Sequence, residues 1–108
     1  MNALIWLAVA ITSEVIATTA LKASDGFSRP GPSAIVVAGY ALAFVLLSMS
    51  LKHLPVGYVY ALWAGLGMVG VAITGALVFG ETFPLAKAGG IALIVAGVVM
   101  LNLPAARG

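Results

Sequence analysis

Charge placement limits the fold of this chain more than any other feature of its sequence. The 108 residues include five Lys or Arg and three Asp or Glu, and the stretches between these charges are almost entirely apolar. Four of the stretches are about 20 residues long, which is the length of an α-helix that crosses a lipid bilayer. They predict helices near residues 3–21, 32–51, 56–79 and 85–103.

The chemistry of the backbone in a membrane supports the helical interpretation. Hydrocarbon cannot hydrogen-bond N–H and C=O groups, so only helices and closed barrels cross it. None of the four stretches has the alternation of polar and apolar residues that a barrel strand requires. The sequence therefore predicts an all-α membrane protein with four transmembrane helices, in a single transmembrane domain over residues 1–108. The first stretch has no basic residue before Lys22 and contains Glu14, so we expect a retained helix and not a cleaved signal peptide.

Composition excludes several classes of function. Hydrophobic residues make up 63% of the chain and charged residues 7%, which is far from the balance of a soluble domain. The chain has no cysteine and one histidine, so we expect no metal site and no cofactor. The net charge of +2 is spread along the chain without a basic cluster, so we expect no nucleic-acid partner. A nucleophile, a base and an orienting group do not occur together at one depth, so we do not expect an enzyme.

The charges of the connections give little preference for one orientation in the membrane. Lys52 and Arg107 would lie on one side, and Lys22, Arg29 and Lys87 on the other. Because Lys/Arg asymmetry sets topology, near balance permits insertion in both directions. Two copies of opposite orientation could pair as an antiparallel homodimer, as inverted repeats do within larger transporters. A weak bias that yields one orientation is the alternative, and dimerisation of some kind is expected because four short helices enclose little space.

Glu14 is the residue that points most directly to a function. It lies near the middle of the first span, where a charged side chain costs about 2.5–3.5 kcal/mol. No Lys, Arg or His lies at a similar depth in any span, so its partner must be a proton, water or an external cation. Such an acid could exchange a proton and hold a cation in turn. The alternative is a permanently protonated Glu14 that hydrogen-bonds across a helix interface.

The residues one turn from Glu14 predict a small and slightly polar wall beside it. Ala10, Ala17 and Thr18 lie on the same helical face, and their size should leave space next to the carboxyl group. Thr18 could donate a hydrogen bond to Glu14 or to the backbone of its own helix. For a lone threonine in a span, the backbone bond is the expected one.

Three aromatic residues within the spans could complete a cation site. Tyr40 lies near the middle of the second span, and Tyr60 and Trp63 share one face of the third at i, i+3 spacing. Ring faces attract cations most strongly when water is excluded, so a carboxylate with these walls would suit a hydrophobic cation. Ordinary core packing is the alternative role for each ring.

Glycines mark positions where helices could bend or pack closely. In the third span, Gly65 and Gly67 permit either a bend or a close contact with another helix. In the fourth span, Gly90, Leu93 and Gly97 share one face of the helix. A stripe of small residues packs helix on helix, so we interpret this face as a dimer contact.

Six motifs, in this order and spacing, give the chain a family resemblance. They are Ser13 to Thr18 (SEVIAT), Leu21-Lys22, Gly26 to Arg29 (GFSR), Pro55 to Gly57 (PVG), Tyr60 to Gly67 (YALWAGLG) and Phe79 to Glu81 (FGE). The set resembles the small multidrug resistance family nearly from end to end. The resemblance implies a four-helix subunit, an antiparallel homodimer, and proton-coupled export of small-molecule cations. It also implies a multi-pass protein surrounded by lipid in the inner (cytoplasmic) membrane of a bacterium.

The same resemblance implies roles for individual residues. Glu14 resembles the coupling carboxylate, which binds either a proton or the substrate. The other residues that it assigns are Tyr40, Tyr60 and Trp63 to the aromatic walls, Ala10, Ala17 and Thr18 to the pocket lining, Gly65 and Gly67 to a helix kink, and Gly90 and Gly97 to the dimer helix.

Three positions favour the quaternary-ammonium branch of this family over its guanidinium branch. The guanidinium branch typically has Trp at the position of Ala17, lacks the tyrosine found at Tyr40, and often has Lys at the position of Asn102. An alanine at position 17 should leave the volume that a bulky cation requires. The alternatives are a guanidinium-type or polyamine exporter of the same family and a non-transporting helper subunit of a membrane complex.

Overall fold

The computed structural model describes residues 2–103 and folds them into four α-helices, with no strand among those residues. The helices are α1 (Asn2–Ala23), α2 (Pro30–Ser50), α3 (Val56–Phe79) and α4 (Leu85–Leu101). The predicted all-α fold is therefore confirmed. Arg107, which entered the charge balance above, lies outside the described residues.

The observed bounds differ little from the expected ones. α3 matches its predicted range, whereas α4 ends at Leu101 instead of near 103. α2 begins at Pro30 instead of 32, because proline has no N–H to satisfy and its backbone angle suits the first turn of a helix. The connection between α1 and α2 is correspondingly shorter than predicted.

Three helices, α1 to α3, are long and apolar enough to cross a membrane. α4 is also apolar but has 17 residues. At 1.5 Å per residue it is about 26 Å long, slightly less than the hydrocarbon thickness of about 30 Å. A helix of this length still spans the bilayer if the lipid thins locally or the flanking residues reach the headgroups.

α1 and α2 form an antiparallel pair whose contact is made by small residues. The buried positions of α2 are Val36, Ala43 and Ser50, which recur every seventh residue on one side of the helix. The Ser50 hydroxyl donates to the Ala3 carbonyl oxygen at 3.2 Å, which ties the end of α2 to the start of α1. Small side chains let two backbones approach closely, and this spacing keeps the contact on one seam along both helices.

The connection between α1 and α2 is a compact turn organised by Ser24, which is fully buried. The Ser24 hydroxyl donates to the Leu21 carbonyl oxygen and accepts from the Phe27 N–H. Arg29 donates from its guanidinium group to the Ala23 carbonyl oxygen at 3.3 Å. These bonds satisfy carbonyl groups that the end of a helix otherwise leaves without partners.

α3 and α4 form a second antiparallel pair. The Tyr58 hydroxyl, near the start of α3, donates to the Asn102 side-chain oxygen at 2.8 Å, just after the end of α4. α3 ends at Phe79 and is followed by Gly80, whose left-handed backbone (φ 66°) glycine adopts without a steric penalty. The two helix pairs are separate compact units, one ending at Leu54 and the other beginning at Pro55. The single transmembrane domain over residues 1–108 stays a prediction.

Candidate functional site

Glu14 lies in the middle of α1 and is half-buried. It shares a face of the helix with Leu7, Ala10 and Ala17, all of which are buried. Heptad-like spacing therefore places this carboxyl group on the seam along which α1 packs, and not on the exposed side of the helix.

Thr18 binds Glu14 directly. Its hydroxyl donates to the Glu14 Oε2 atom at 2.7 Å. The backbone bond expected for Thr18 is therefore wrong, because a carboxylate one turn away is a stronger acceptor than a carbonyl oxygen already used by the helix. Thr12 and Thr19 follow the expected pattern, since they donate to the carbonyl oxygens four residues earlier at 2.9 and 2.8 Å.

Tyr40 extends this contact from α1 to α2. Its hydroxyl lies 2.5 Å from the Thr18 Oγ1 atom. Threonine has a single hydroxyl hydrogen, and here it is donated to Glu14, so Tyr40 must be the donor to Thr18. The result is an ordered chain of hydrogen bonds from Tyr40 to Thr18 to Glu14. The Tyr40 ring is also stacked on Phe44, with 6.2 Å between the ring centroids and 27° between their planes.

Ala10 and Ala17 are fully buried in the subunit. The volume expected to be free at Ala17 is occupied by the backbone of α2 at Gly39. A methyl group on Gly39 would lie 2.8 Å from the Ala17 Cβ atom and 3.3 Å from the Ser13 carbonyl oxygen. A role for these two alanines in lining a substrate pocket stays a prediction.

Tyr60 and Trp63 lie on α3, in the second helix pair. The Tyr60 side chain is 70% exposed, whereas Trp63 is half-buried. Most of the Tyr60 ring is therefore not used for packing between α3 and α4. Their role as aromatic walls stays a prediction.

The glycines of α3 and α4 differ in their surroundings. A methyl group on Gly65 would lie 3.2 Å from Ile94 and 3.5 Å from Val98, so this glycine permits close contact between α3 and α4. Gly67 is buried, and α3 is one continuous helix through both positions. The alternative of close packing is supported at Gly65, while the predicted kink has not been tested.

The predicted dimer stripe lies on an open face of α4. Nothing lies within 4 Å of a methyl group placed on Gly90 or Gly97, and Leu93 is 77% exposed. Gly97 also lines an apolar cavity of about 520 Å³ between α3 and α4. This face is free to receive another helix, and its use as a dimer contact stays a prediction.

Comparison with known proteins identifies the family. A family model described as Small Multidrug Resistance protein matches residues 2–94. The chain belongs to the small multidrug resistance family. The resemblance carried by the six motifs is therefore confirmed.

Several members of the small multidrug resistance family are similar along almost the whole chain. Quaternary ammonium compound-resistance protein QacF of Klebsiella aerogenes is 54% identical over 99 residues, which are 92% of this chain and 90% of the relative. A multidrug transporter of Pseudomonas aeruginosa is 48% identical over 103 residues, 95% of this chain and 94% of the relative. Multidrug resistance protein EbrB of Bacillus subtilis is 47% identical over 102 residues, 94% and 87% of the two chains.

Membership of the small multidrug resistance family, together with the apolar helices, identifies a multi-pass protein of the bacterial inner membrane. The family is one of small-molecule transporters, and the Pseudomonas relative is named a multidrug transporter.

Two features of this family member were missed by sequence reasoning. The first is Tyr58, which is buried and bound to Asn102. A tyrosine at the start of one helix and an asparagine at the end of the next would have been the signal, because antiparallel helices bring these ends together. The second is the contact of Ser13 and Ala17 with Gly39, for which a glycine in the middle of a span was the only sign.

Proposed function

We propose that this protein is a proton-coupled antiporter that exports hydrophobic, aromatic or quaternary ammonium cations, with proton and substrate competing for Glu14. The observation that carries the proposal is a half-buried carboxyl group in mid-span whose hydrogen-bond partner is the neutral hydroxyl of Thr18. A neutral donor leaves the negative charge of the carboxylate uncompensated. A proton or a cationic substrate would supply that compensation in turn.

The chemistry of the site and the relatives both support the proposed substrate class. Carboxylate charge and exposed aromatic rings together attract large, weakly hydrated cations. We propose Tyr40, Tyr60 and Trp63 as the rings, with Thr18, Ala10 and Ala17 in the lining. The names of QacF and EbrB refer to resistance to quaternary ammonium compounds and to multiple drugs, which favours this class of substrate over guanidinium.

Competition at Glu14 follows from the two oxygens of its carboxyl group. Thr18 donates to Oε2 in the structure, which leaves Oε1 as the atom to accept a proton. Protonation removes the charge that holds the cation, and a bound cation disfavours protonation. Protons moving inward along their gradient would thus displace the cation outward as the transporter alternates its opening.

A pair of subunits is part of the proposal. The α4 face formed by Gly90, Leu93 and Gly97 is exposed and apolar, so a second copy can cover it. We propose an antiparallel homodimer with this face at its centre, which would supply two Glu14 residues to one transport pathway. Bending of α3 at Gly65 and Gly67 would assist the alternation.

Proton release on substrate binding tests the competition. Tetraphenylphosphonium is added to the purified protein in weakly buffered detergent near neutral pH, with Glu14→Gln as the test variant. Glu81→Gln is the matched control, because it removes a carboxylate from the connection between α3 and α4. Wild type and Glu81→Gln should release protons, and Glu14→Gln should release none.

Other outcomes would contradict parts of the proposal. Binding of tetraphenylphosphonium without proton release would make Glu14 a fixed countercharge and remove proton coupling. Release of protons by Glu14→Gln would show that a group other than Glu14 releases the proton when the cation binds. If guanidinium but not tetraphenylphosphonium bound, the chain would be assigned to the guanidinium exporters, and binding of neither would favour the helper subunit.

A further inference from the structure

Three residues of the α1–α2 contact each stand immediately before a polar residue of the site. Ser13 precedes Glu14, Ala17 precedes Thr18, and Gly39 precedes Tyr40. The first residues of these pairs pack against one another, and the second residues form the hydrogen-bond chain. The packing and the hydrogen-bond chain are therefore adjacent along both helices.

Gly39 makes the closest approach in this contact. The Ser13 hydroxyl donates to the Gly39 carbonyl oxygen at 2.8 Å. The Ala17 methyl group lies where a side chain on residue 39 would begin, since a Cβ atom there would be 2.8 Å from it. Carbon atoms in good contact are about 3.5–4.0 Å apart. An alanine at position 39 would thus require α1 and α2 to separate locally by about 0.7 Å or more.

Such a separation would weaken the hydrogen bond made by Tyr40, the next residue of α2. The Tyr40 and Thr18 oxygens are 2.5 Å apart, and hydroxyl hydrogen bonds extend to about 3.0 Å. Opening the contact beside them by a similar amount would lengthen this pair past the usual range and weaken its bond. Thr18 would keep its bond to Glu14, because both residues lie on α1.

We propose that Gly39 is a positioning residue: with Ala17 and Ser13 it holds α2 at the distance at which the Tyr40 hydroxyl reaches Thr18, and through Thr18 it strengthens cation binding at Glu14. A hydrogen bond accepted by Thr18 polarises its hydroxyl and strengthens the bond that it donates to the carboxylate. The effect on cation binding rests on the proposed function, whereas the effect on Tyr40 does not.

The test uses a steric swap between the two helices. Gly39→Ala introduces the overlap with the Ala17 Cβ atom, and Ala17→Gly in the same chain removes that atom, leaving the 3.3 Å contact with the Ser13 carbonyl oxygen. Gly31→Ala is the matched control, since it is the same change in α2 at a position with nothing within 4 Å. The readouts are the 13Cζ resonance of Tyr40, which reports its hydroxyl hydrogen bond, and the dissociation constant of tetraphenylphosphonium. The chain has three tyrosines, so Tyr40→Phe assigns the resonance.

Gly39→Ala should shift the Tyr40 resonance and weaken tetraphenylphosphonium binding about two- to tenfold, the value of one hydrogen bond. The Ala17→Gly, Gly39→Ala double variant should return the Tyr40 resonance toward its wild-type position, and Gly31→Ala should resemble wild type in both readouts. In the Tyr40→Phe background, Gly39→Ala should add no further loss, because residues that act through one bond are not additive.

Three results would overturn the proposal. The first is an unchanged Tyr40 resonance in Gly39→Ala, and the second is a double variant with Ala17→Gly in which the resonance does not move back toward its wild-type position. The third is a further loss of affinity when Gly39→Ala is added to Tyr40→Phe, as large as the loss that Gly39→Ala causes in the wild-type background. If Gly39→Ala alone does not fold, Ser13→Ala can replace it, because it removes the hydrogen bond from Ser13 to the Gly39 carbonyl oxygen without adding volume. An unchanged Tyr40 resonance in Ser13→Ala would count equally against the proposal. If wild type binds tetraphenylphosphonium without releasing protons, proton coupling fails while the Tyr40 resonance still decides the role of Gly39.

Discussion

Replacing Thr18 by valine removes one hydroxyl from the Glu14 site while nearly preserving the shape of the side chain. That hydroxyl donates to Glu14 at 2.7 Å and accepts from Tyr40 at 2.5 Å, so the substitution breaks both bonds of the chain. The loss falls on the charged form of Glu14, because a neutral carboxylic acid is a weaker acceptor than a carboxylate. The proton should therefore compete better with a cationic substrate in Thr18→Val than in wild type.

The burial of Glu14 sets the expected loss of cation affinity in Thr18→Val. A hydrogen bond to a charged group contributes about 1.5–3 kcal/mol, and Glu14 is half-buried, which places the value near the lower limit. About 1.4 kcal/mol is a factor of ten in an equilibrium constant. We therefore expect tetraphenylphosphonium to bind Thr18→Val about tenfold more weakly than wild type near neutral pH.

Isothermal titration calorimetry in detergent measures this difference. Thr12→Val is the matched control, because the Thr12 hydroxyl is bound to the Ala8 carbonyl oxygen of its own helix and Thr12 is exposed. It should bind the cation as wild type does. Equal affinity of Thr18→Val and wild type would refute the hydrogen-bond chain as a contributor to cation binding. An equal loss in Thr12→Val would show that the effect belongs to α1 as a whole and not to Glu14.

Two further predictions concern the second helix pair. Tyr58→Phe removes the hydroxyl that binds Asn102, so the free energy of unfolding in detergent should fall by about 1 kcal/mol. Tyr60 is exposed, so Tyr60→Phe should change the free energy of unfolding by less than about 0.5 kcal/mol. Equal effects of the two substitutions would argue against the Tyr58 bond. Gly97→Leu should shift the subunit from dimer to monomer in light scattering after size-exclusion chromatography, because it fills the open face of α4. Ala92→Leu, at an exposed position on another side of α4, should not. A Gly97→Leu dimer would exclude this face from the interface.

The helices and the mid-span acid were predictable because they depend only on the lengths of apolar segments and on the positions of charged residues along the chain. The thickness of the hydrocarbon sets the length of an apolar run, and charged residues mark the places where a run must end. α3 has the predicted bounds for this reason. The position of Glu14 halfway along such a run is likewise a matter of counting, and a charge at that depth needs a compensating partner whatever the neighbouring helices do.

The partners of Glu14 were not predictable in the same way, because apolar residues lie on every side of α1 and α2. A helix with one apolar stripe reveals which side it buries, but a helix that is apolar on every side does not. The rotation and register of α2 against α1 were therefore open. They decide that Thr18 donates to Glu14 and not to its backbone, that Tyr40 reaches Thr18, and that Gly39 occupies the volume beside Ala17. The sequence by itself determined that an acid lies within the membrane. The tertiary structure decided which hydroxyl groups bind it, because those contacts depend on the rotation and register of two helices that have no single apolar stripe.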